Sequence, residues 1–357
     1  MAPTGLRTDA ERLTIDMQSR RLRILILGSS SNYNLEYFSK VNLERLGCDV
    51  RFCGYAKTLG TIAPSVRLSI TRSSALGYLA RRTLLQSYFA EVRRTSKDFR
   101  PDIVLVIKGE ALDSATLEWL KTEARAKLVL WYPDDPRYFE TIVKRIIGCF
   151  DYVFTVSPKS VQTYKELGIA NVECLPVACD PEFHRKLELS ADDQRKYSCD
   201  IVFAGTYYPR RARLVKLLKR AGLQLGVYGD YWNLFWMGNG AKQAIPGPEM
   251  VKLFNAAKIV LNVHADTDVA YKVNTRTFEG AGCGSLVLND RTYGVDDYFD
   301  VGKEIACYDD ERELVELAKF YLDSDEEREE VSLHGRERAY RDHTYALRLT
   351  QMLETIR

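Results

Sequence analysis

Apolar residues fall along this chain in short, nearly continuous runs separated by stretches of helical periodicity. Leu22 to Leu27 is the first such run, as expected for a strand covered on both faces. It ends in Gly28-Ser29-Ser30-Ser31, and an amphipathic segment over about 33–46 follows, with Gly47 placed to stop it and a second strand at 49–53. Further β-branched runs occupy 102–107, 128–131, 152–156 and 172–175, with helical patterns at about 113–125, 137–148 and 159–167 between them. A longer helical stretch, about 72–99, interrupts the rhythm. The segment 176–199, with Pro176 and Pro181, reads as a strand-poor crossing. A second series then begins: strands at 200–204, 224–228, 258–263, 285–288 and 304–307, helices at 209–221, 248–256 and 273–282, and charged helical sequence over 309–357.

Strands alternating with helices of this length predict an α/β fold with doubly wound parallel sheets. Two successive series, in a chain of 357 residues, predict two Rossmann-like domains. The expected organisation is a polar leader over 1–20, an N-terminal domain over 21–183, a C-terminal domain over 184–340 and a last helix over 341–357. Such sheets bind ligands beyond the carboxyl ends of their strands. Residues directly after strands are therefore the first site candidates.

Charge removes some function classes. Fifty-one basic residues against 49 acidic give a net charge of only +2, without the concentrated basic face of a nucleic-acid binder. A local cluster at Arg81, Arg82, Arg93, Arg94, Lys97 and Arg100 fits a solvated helix face. Eight cysteines, none in a Cys-x-x-Cys pair, read as small buried thiols of a reducing compartment. No signal-like stretch opens the chain, and no run reaches the roughly 18 apolar residues of a spanning helix. A cytoplasmic protein with at most peripheral membrane contact is expected.

Four strand ends carry chemistry. Phe203-Ala204-Gly205-Thr206 leads through Pro209 into a helix bearing Arg210 and Arg211. Gly205 suits a tight turn, and a helix N-terminus with a nearby guanidinium suits a phosphate, although such turns are common in α/β proteins. Asn262 and His264 close an apolar strand, with His264 a catalytic candidate although a lone histidine there is more often structural, and Arg276 and Glu279 stand at i, i+3 on the next helix. That pair fits either a diphosphate and a ribose or a surface ion pair. In the first half, Glu110, Asp134 and Asp135 follow strands and are candidate general bases. Asp134-Asp135-Pro136 equally fits a turn that caps the helix expected from 137.

Arg276 to Asp290, with Gly284, resembles the donor-binding signature of group 1 glycosyltransferases. More narrowly, about 130–350 resembles the CgeB-like spore-maturation glycosyltransferases, through Trp131-Tyr132-Pro133-Asp134-Asp135-Pro136, Phe203-Ala204-Gly205-Thr206 with Arg210, Arg276-Thr277-Phe278-Glu279 with Gly284, and His343-Thr344-Tyr345. The resemblance implies a GT-B fold, two Rossmann-like domains facing across a cleft. It implies a nucleotide-diphosphate sugar as donor, with no permanent cofactor and no catalytic metal. Glu279 would bind the ribose, while Gly205, Thr206, Arg210 and Arg276 would face the diphosphate. The last helix would cross back to the first domain. The acceptor, whether polysaccharide, glycolipid or protein, is left open. Two departures stand out: Tyr271 replaces the second glutamate of many retaining relatives, and all four histidines lie after residue 183, so none comes from the first domain. A GT-B epimerase or hydrolase, or a non-catalytic surface-assembly protein, remains as an alternative.

Overall fold

The structure, a computed structural model, describes residues 21–357 apart from 31, 57–82, 138, 141–142, 236–239, 246, 266–272 and 293. The expected leader over 1–20, Ser31, Arg81, Arg82, Tyr271 and the early part of the 72–99 stretch lie outside the described residues. The chain forms two units, one reaching to Phe154 and including Tyr164–Glu173, the other built from Thr155–Thr163 and Cys174–Arg357.

Among the described residues, the first sheet has six strands: β1 (Arg23–Gly28), β2 (Asp49–Gly54), β3 (Ile103–Ile107), β4 (Lys127–Tyr132), β5 (Tyr152–Thr155) and β6 (Val172–Cys174). Their order is β2-β1-β3-β4-β5-β6, and β1 pairs in parallel with β2 and β3. All five residues of β3 are buried, as a run of Ile, Val and Leu covered on both faces requires. Helices α1 (Leu35–Arg45), α2 (Gln86–Phe99), α3 (Ser114–Thr122) and α4 (Pro158–Glu166) alternate with the strands. Side chains start two of them: Asn34 accepts the N–H of Tyr37, and Asp113 that of Thr116. Gly47 follows α1 at a φ of 87°, left-handed backbone that favours glycine after a helix. Arg93 and Lys97, from the basic cluster, lie over the Trp119 ring.

The second sheet contains β7 (Cys199–Ala204), β8 (Leu225–Tyr228), β9 (Ala257–Asn262), β10 (Leu286–Asp290) and β11 (Ala306–Tyr308), in the order β11-β10-β9-β7-β8. Its helices are α5 (Ala191–Tyr197), α6 (Pro209–Arg220), α7 (Pro248–Ala256), α8 (Thr275–Gly282), α9 (Glu311–Asp323), α10 (Asp325–Asp342) and α11 (Tyr345–Ile356). Ile201, Phe203, Leu214, Val215, Ile259, Leu261 and Leu288 share one continuous core. The two parallel, helix-flanked sheets match the alternation read from the sequence. The sequence direction reverses between β1 and β3 in one sheet and between β7 and β9 in the other, the positions where doubly wound sheets open a ligand crevice.

Two local expectations are corrected and one is filled in. The helix expected over 137–148 is replaced, in its described residues, by turns and two 3₁₀ segments, Val143–Arg145 and Ile147–Cys149. Phe139, Val143, Ile146 and Ile147 are all buried along this irregular path, and β-branched residues resist a helix weakly. The strand-poor crossing contains a helix, α5, started by a Ser190 hydroxyl that accepts from Asp193 N–H at 3.1 Å. Strand β10 continues two residues past its expected end and carries Asn289 and Asp290 to the rim of the sheet. Among the described residues, all eight cysteines are free thiols, and no helix is long and apolar enough to cross a membrane.

Candidate functional site

At the reversal point of the second sheet, a buried polar network replaces the hydrophobic core. Asn262, the last residue of β9, is 2% exposed and therefore needs partners for its amide. Its Nδ2 lies 2.6 Å from Asn289 Oδ1, 2.9 Å from Thr277 Oγ1 and 3.0 Å from Asn274 Oδ1. Asn274 donates in return to Asn262 Oδ1 at 3.0 Å and also caps α8. The amide thus ties two strand ends to the first turn of a helix.

His264 and Asp290 extend this network to Arg210. The Asn274 N–H points to His264 Nε2 at 3.1 Å, which leaves the ring proton on Nδ1. That proton is donated to Asp290 Oδ1 at 2.6 Å, and the His264 N–H also reaches the carboxylate, at 3.1 Å from Oδ2. Arg210 Nη1 meets Asp290 Oδ2 at 2.6 Å and the His264 carbonyl at 3.1 Å. Burial opposes the charge on Asp290, yet His264 and Arg210 together hold its carboxyl below the ordinary range. Both ring nitrogens of His264 are occupied inside a 2% exposed side chain, so its geometry is that of a clamp for Arg210. The Arg210 side chain keeps a quarter of its surface open, at the start of α6. That start has Pro209 in its first turn and Tyr208 at N-cap without a side-chain capping bond.

Arg276 and Glu279 lie on the adjoining helix start. Arg276 Nε donates to the Ala204 carbonyl at 3.1 Å, tying α8 to the end of β7, and its Nη1 pairs with Glu279 Oε2. Arg276 remains a third exposed, whereas the Glu279 side chain is 4% exposed. This differs from a surface ion pair, because the carboxylate is sequestered and the guanidinium is braced by backbone. Gly205 sits against the same rim. Trp232 Nε1 donates to its carbonyl at 2.8 Å, and a Cβ at Gly229 would stand 1.9 Å from that oxygen, so residue 229 must be glycine. The Thr206 carbonyl accepts from Arg211 Nη1 at 2.9 Å. Gly284 does not join the group. It follows the far end of α8 at a φ of 68°, next to Arg336 and Lys186, and serves the turn into β10.

The first sheet assembles acids around one lysine at its own reversal point. Lys108 Nζ pairs with Asp134 Oδ2 at 3.0 Å. Burial works against this ammonium, but Asp134, Glu110 and Glu36 outweigh it and raise its pKa. The Tyr55 hydroxyl donates to Glu110. Glu36, 1% exposed, accepts from Ser29 N–H at 2.9 Å and from Ser29 Oγ at 3.0 Å, while burial raises its pKa. Asp135 points elsewhere: it is fully buried and accepts the Tyr164 hydroxyl at 2.6 Å. The Asp-Asp-Pro segment forms a turn, with Arg137 N–H bonding to the Asp134 carbonyl at 2.8 Å.

Sequence reasoning placed Arg210, Asn262, His264, Arg276 and Glu279 correctly at strand and helix ends, and the structure brings them together. It passed over Asp290 and Asn274 as partners, and took Lys108 only as a strand-end candidate beside Glu110. Asp290 was hidden by the short estimate of β10, and Asn274 carries a legible signal, an Asn directly before a helical run.

Residues 210–354 match a family model described as glycosyl transferase-like. The chain is 25% identical over 252 residues to the spore protein CgeB of Bacillus subtilis, covering 66% of this chain and 76% of that protein. Among solved structures, it resembles Anabaena HepE in complex with UDP and glucose, with a TM-score of 0.66 and 16% identity, over 94% of this chain and 99% of the other. Sucrose-phosphate synthase of Thermosynechococcus elongatus gives a TM-score of 0.63 at 12% identity, over 94% and 99%. At these identities the structural likeness is one of fold.

Proposed function

We propose that this CgeB-like glycosyltransferase of GT-B fold takes its glycosyl group from a nucleotide-diphosphate sugar held by the second unit. The observation that carries this reading is the convergence of Arg210, Arg276 and Glu279 at the reversal point of the second sheet, each fixed by buried partners. A diphosphate fits the start of α6, where outward backbone N–H groups, the positive helix end and the Arg210 guanidinium coincide. In this reading Glu279 accepts hydrogen bonds from ribose hydroxyls. The HepE complexes with UDP and with UDP-glucose support a uridine nucleotide as the first donor to test.

Chemically, cleavage of the glycosidic bond to the diphosphate builds negative charge on the leaving oxygen. Arg210, Arg276 and the α6 dipole stabilise that charge as it develops, and they are already oriented before the reaction. In this reading the transfer needs no metal, and the protein holds no permanent cofactor. The first unit receives the acceptor, a carbohydrate, lipid-linked or protein hydroxyl, with Asp134 or Glu110 taking its proton. Lys108 pairs with Asp134 at 3.0 Å and holds its carboxylate in place. Titration calorimetry with UDP, in the absence of metal and with ADP and GDP as controls, tests the donor half. Saturable binding lost in Glu279→Ala supports it, and equal binding by the variant removes it.

A further inference from the structure

Glu279 has a neighbour that strand-end reasoning did not reach. His184 is fully buried, and its Nε2 lies 3.6 Å from Glu279 Oε1. The Asp180 N–H points to His184 Nδ1 at 3.0 Å, so the proton of the neutral ring sits on Nε2, the nitrogen that faces the carboxylate. Burial lowers the imidazole pKa despite the nearby Glu279 and Asp180 carboxylates, which keeps the ring neutral near pH 7. The segment is tightly held. The His184 N–H bonds to the Asp180 carbonyl at 2.6 Å, and the Phe183 ring meets the imidazole edge-on at 5.1 Å. The Tyr340 hydroxyl lies 3.0 Å from both the His184 and the Gly282 carbonyls, bridging this segment to α8. A Cβ at Gly282 would come within 3.2 Å of both the His184 Cβ and its carbonyl oxygen, so the helix that carries Glu279 and the segment that carries His184 meet backbone to backbone.

We propose that His184 is a positioning residue that donates its Nε2–H to Glu279 Oε1 and orients this carboxylate toward the ribose of a nucleoside diphosphate. The inference rests on the reading of Glu279 as the ribose acceptor. Arg276 holds the opposite oxygen, so the carboxylate is gripped from both sides. A separation of 3.6 Å is longer than a hydrogen bond, and such contacts tighten when a ligand fills the site. A neutral donor suits this role, since Arg276 already balances the carboxylate and a second cation would overcompensate its charge. Simple packing would make no use of the tautomer that the Asp180 N–H selects.

The test compares affinities of the full chain for UDP and for 2′,3′-dideoxy-UDP by titration calorimetry, with the ADP and GDP pairs in reserve should UDP not bind. Hydrogen bonds from ribose hydroxyls to a carboxylate give the wild type a preference for UDP of about 10-fold or more. His184→Leu is expected to erase that preference while leaving dideoxy-UDP binding within about twofold, and His184→Gln, which keeps an N–H near the Nε2 position, restores it. A His184→Leu variant that keeps the wild-type ratio, beside a Glu279→Ala variant that loses it, overturns the inference alone. A Glu279→Ala variant that keeps the ratio overturns the ribose reading and the inference with it. If His184→Leu does not fold, His184→Gln against His184→Asn decides: loss in Asn alone supports the role, and equal ratios refute it.

Discussion

The two reversal points of this protein are built from opposite materials. In the second sheet, cationic side chains are held over a hydrogen-bonded floor: Arg210 by Asp290 and the His264 carbonyl, Arg276 by Glu279 and the Ala204 carbonyl. In the first sheet, Glu36, Glu110 and Asp134 surround Lys108, and the Lys108 and Asp134 side chains are each about a third exposed. The difference follows from what each would hold. A diphosphate is a strong anion whose binding gains from donors fixed in advance, whereas an acceptor hydroxyl needs an ionised carboxylate with room to approach. Under the proposed function, the same crevice in the same fold would serve a donor or an acceptor according to the sign and rigidity of its side chains.

The sharpest way to break this contrast is to remove a carboxylate from the acidic site alone. Asp134→Asn is expected to lower the turnover of glycosyl transfer by roughly 10²–10⁴-fold while nucleotide affinity stays constant, as measured by steady-state kinetics beside calorimetry. Equal loss in both would place Asp134 in the donor half. On the basic side, Arg210→Ala is expected to cost about 10²–10³-fold in kcat, because one donor to the developing charge is gone. A variant with unchanged kcat and weakened binding would assign Arg210 to ground-state binding only.

The floor beneath Arg210 should show in stability as well as in rate. Breaking a buried pair by removing one partner costs about 3–5 kcal/mol, and Asp290→Asn leaves Arg210 and His264 without their anion. Denaturant unfolding measures this. The sign with pH is fixed: the folded carboxyl lies below its unfolded value, so its contribution is present above the unfolded pKa near 3.8 and is lost as pH falls through the folded value. The acid limb of the stability curve should therefore flatten in Asp290→Asn. A smaller effect belongs to His343, whose pKa burial lowers to about 4 from 6.5, with its Nε2 bonded to the Tyr298 carbonyl at 2.7 Å. Between those values the unfolded chain binds the proton and the folded chain does not, so stability falls on acidification from pH 6.5 toward 4. His343→Gln should remove that slope, and an unchanged slope would locate the titration elsewhere.

Much of this was legible in the sequence because strands buried on both faces announce themselves as unbroken apolar runs, as in Ile103–Ile107 and Leu25–Leu27. Helix starts were read about two residues early, at 33 and 273, although Asn34 and Asn274 mark them as capping side chains just before Leu35 and Thr275. The irregular path after Asp134 was not, since Val143, Ile146 and Ile147 repeat at helical spacing yet satisfy burial through 3₁₀ turns. Arg276 with Glu279 was visible as an i, i+3 pair, but its depth was not, because burial of the carboxylate depends on His184 from a segment 95 positions earlier. Likewise, nothing local to His264 reveals that Asn274 and Asp290 occupy both ring nitrogens. Long-range polar closure is invisible to periodicity, and it decides which charged residues face a ligand.

The most direct test of the central claim is a thermal-shift titration of the full chain with nucleoside diphosphates, run beside Glu279→Ala. A ligand at 100 times its dissociation constant stabilises the native state by about 2.7 kcal/mol. The account predicts a saturable rise in melting temperature with one nucleotide and none in the variant. A folded wild-type protein that shows no shift with any nucleotide, or a variant that shifts as much as the wild type, would contradict it.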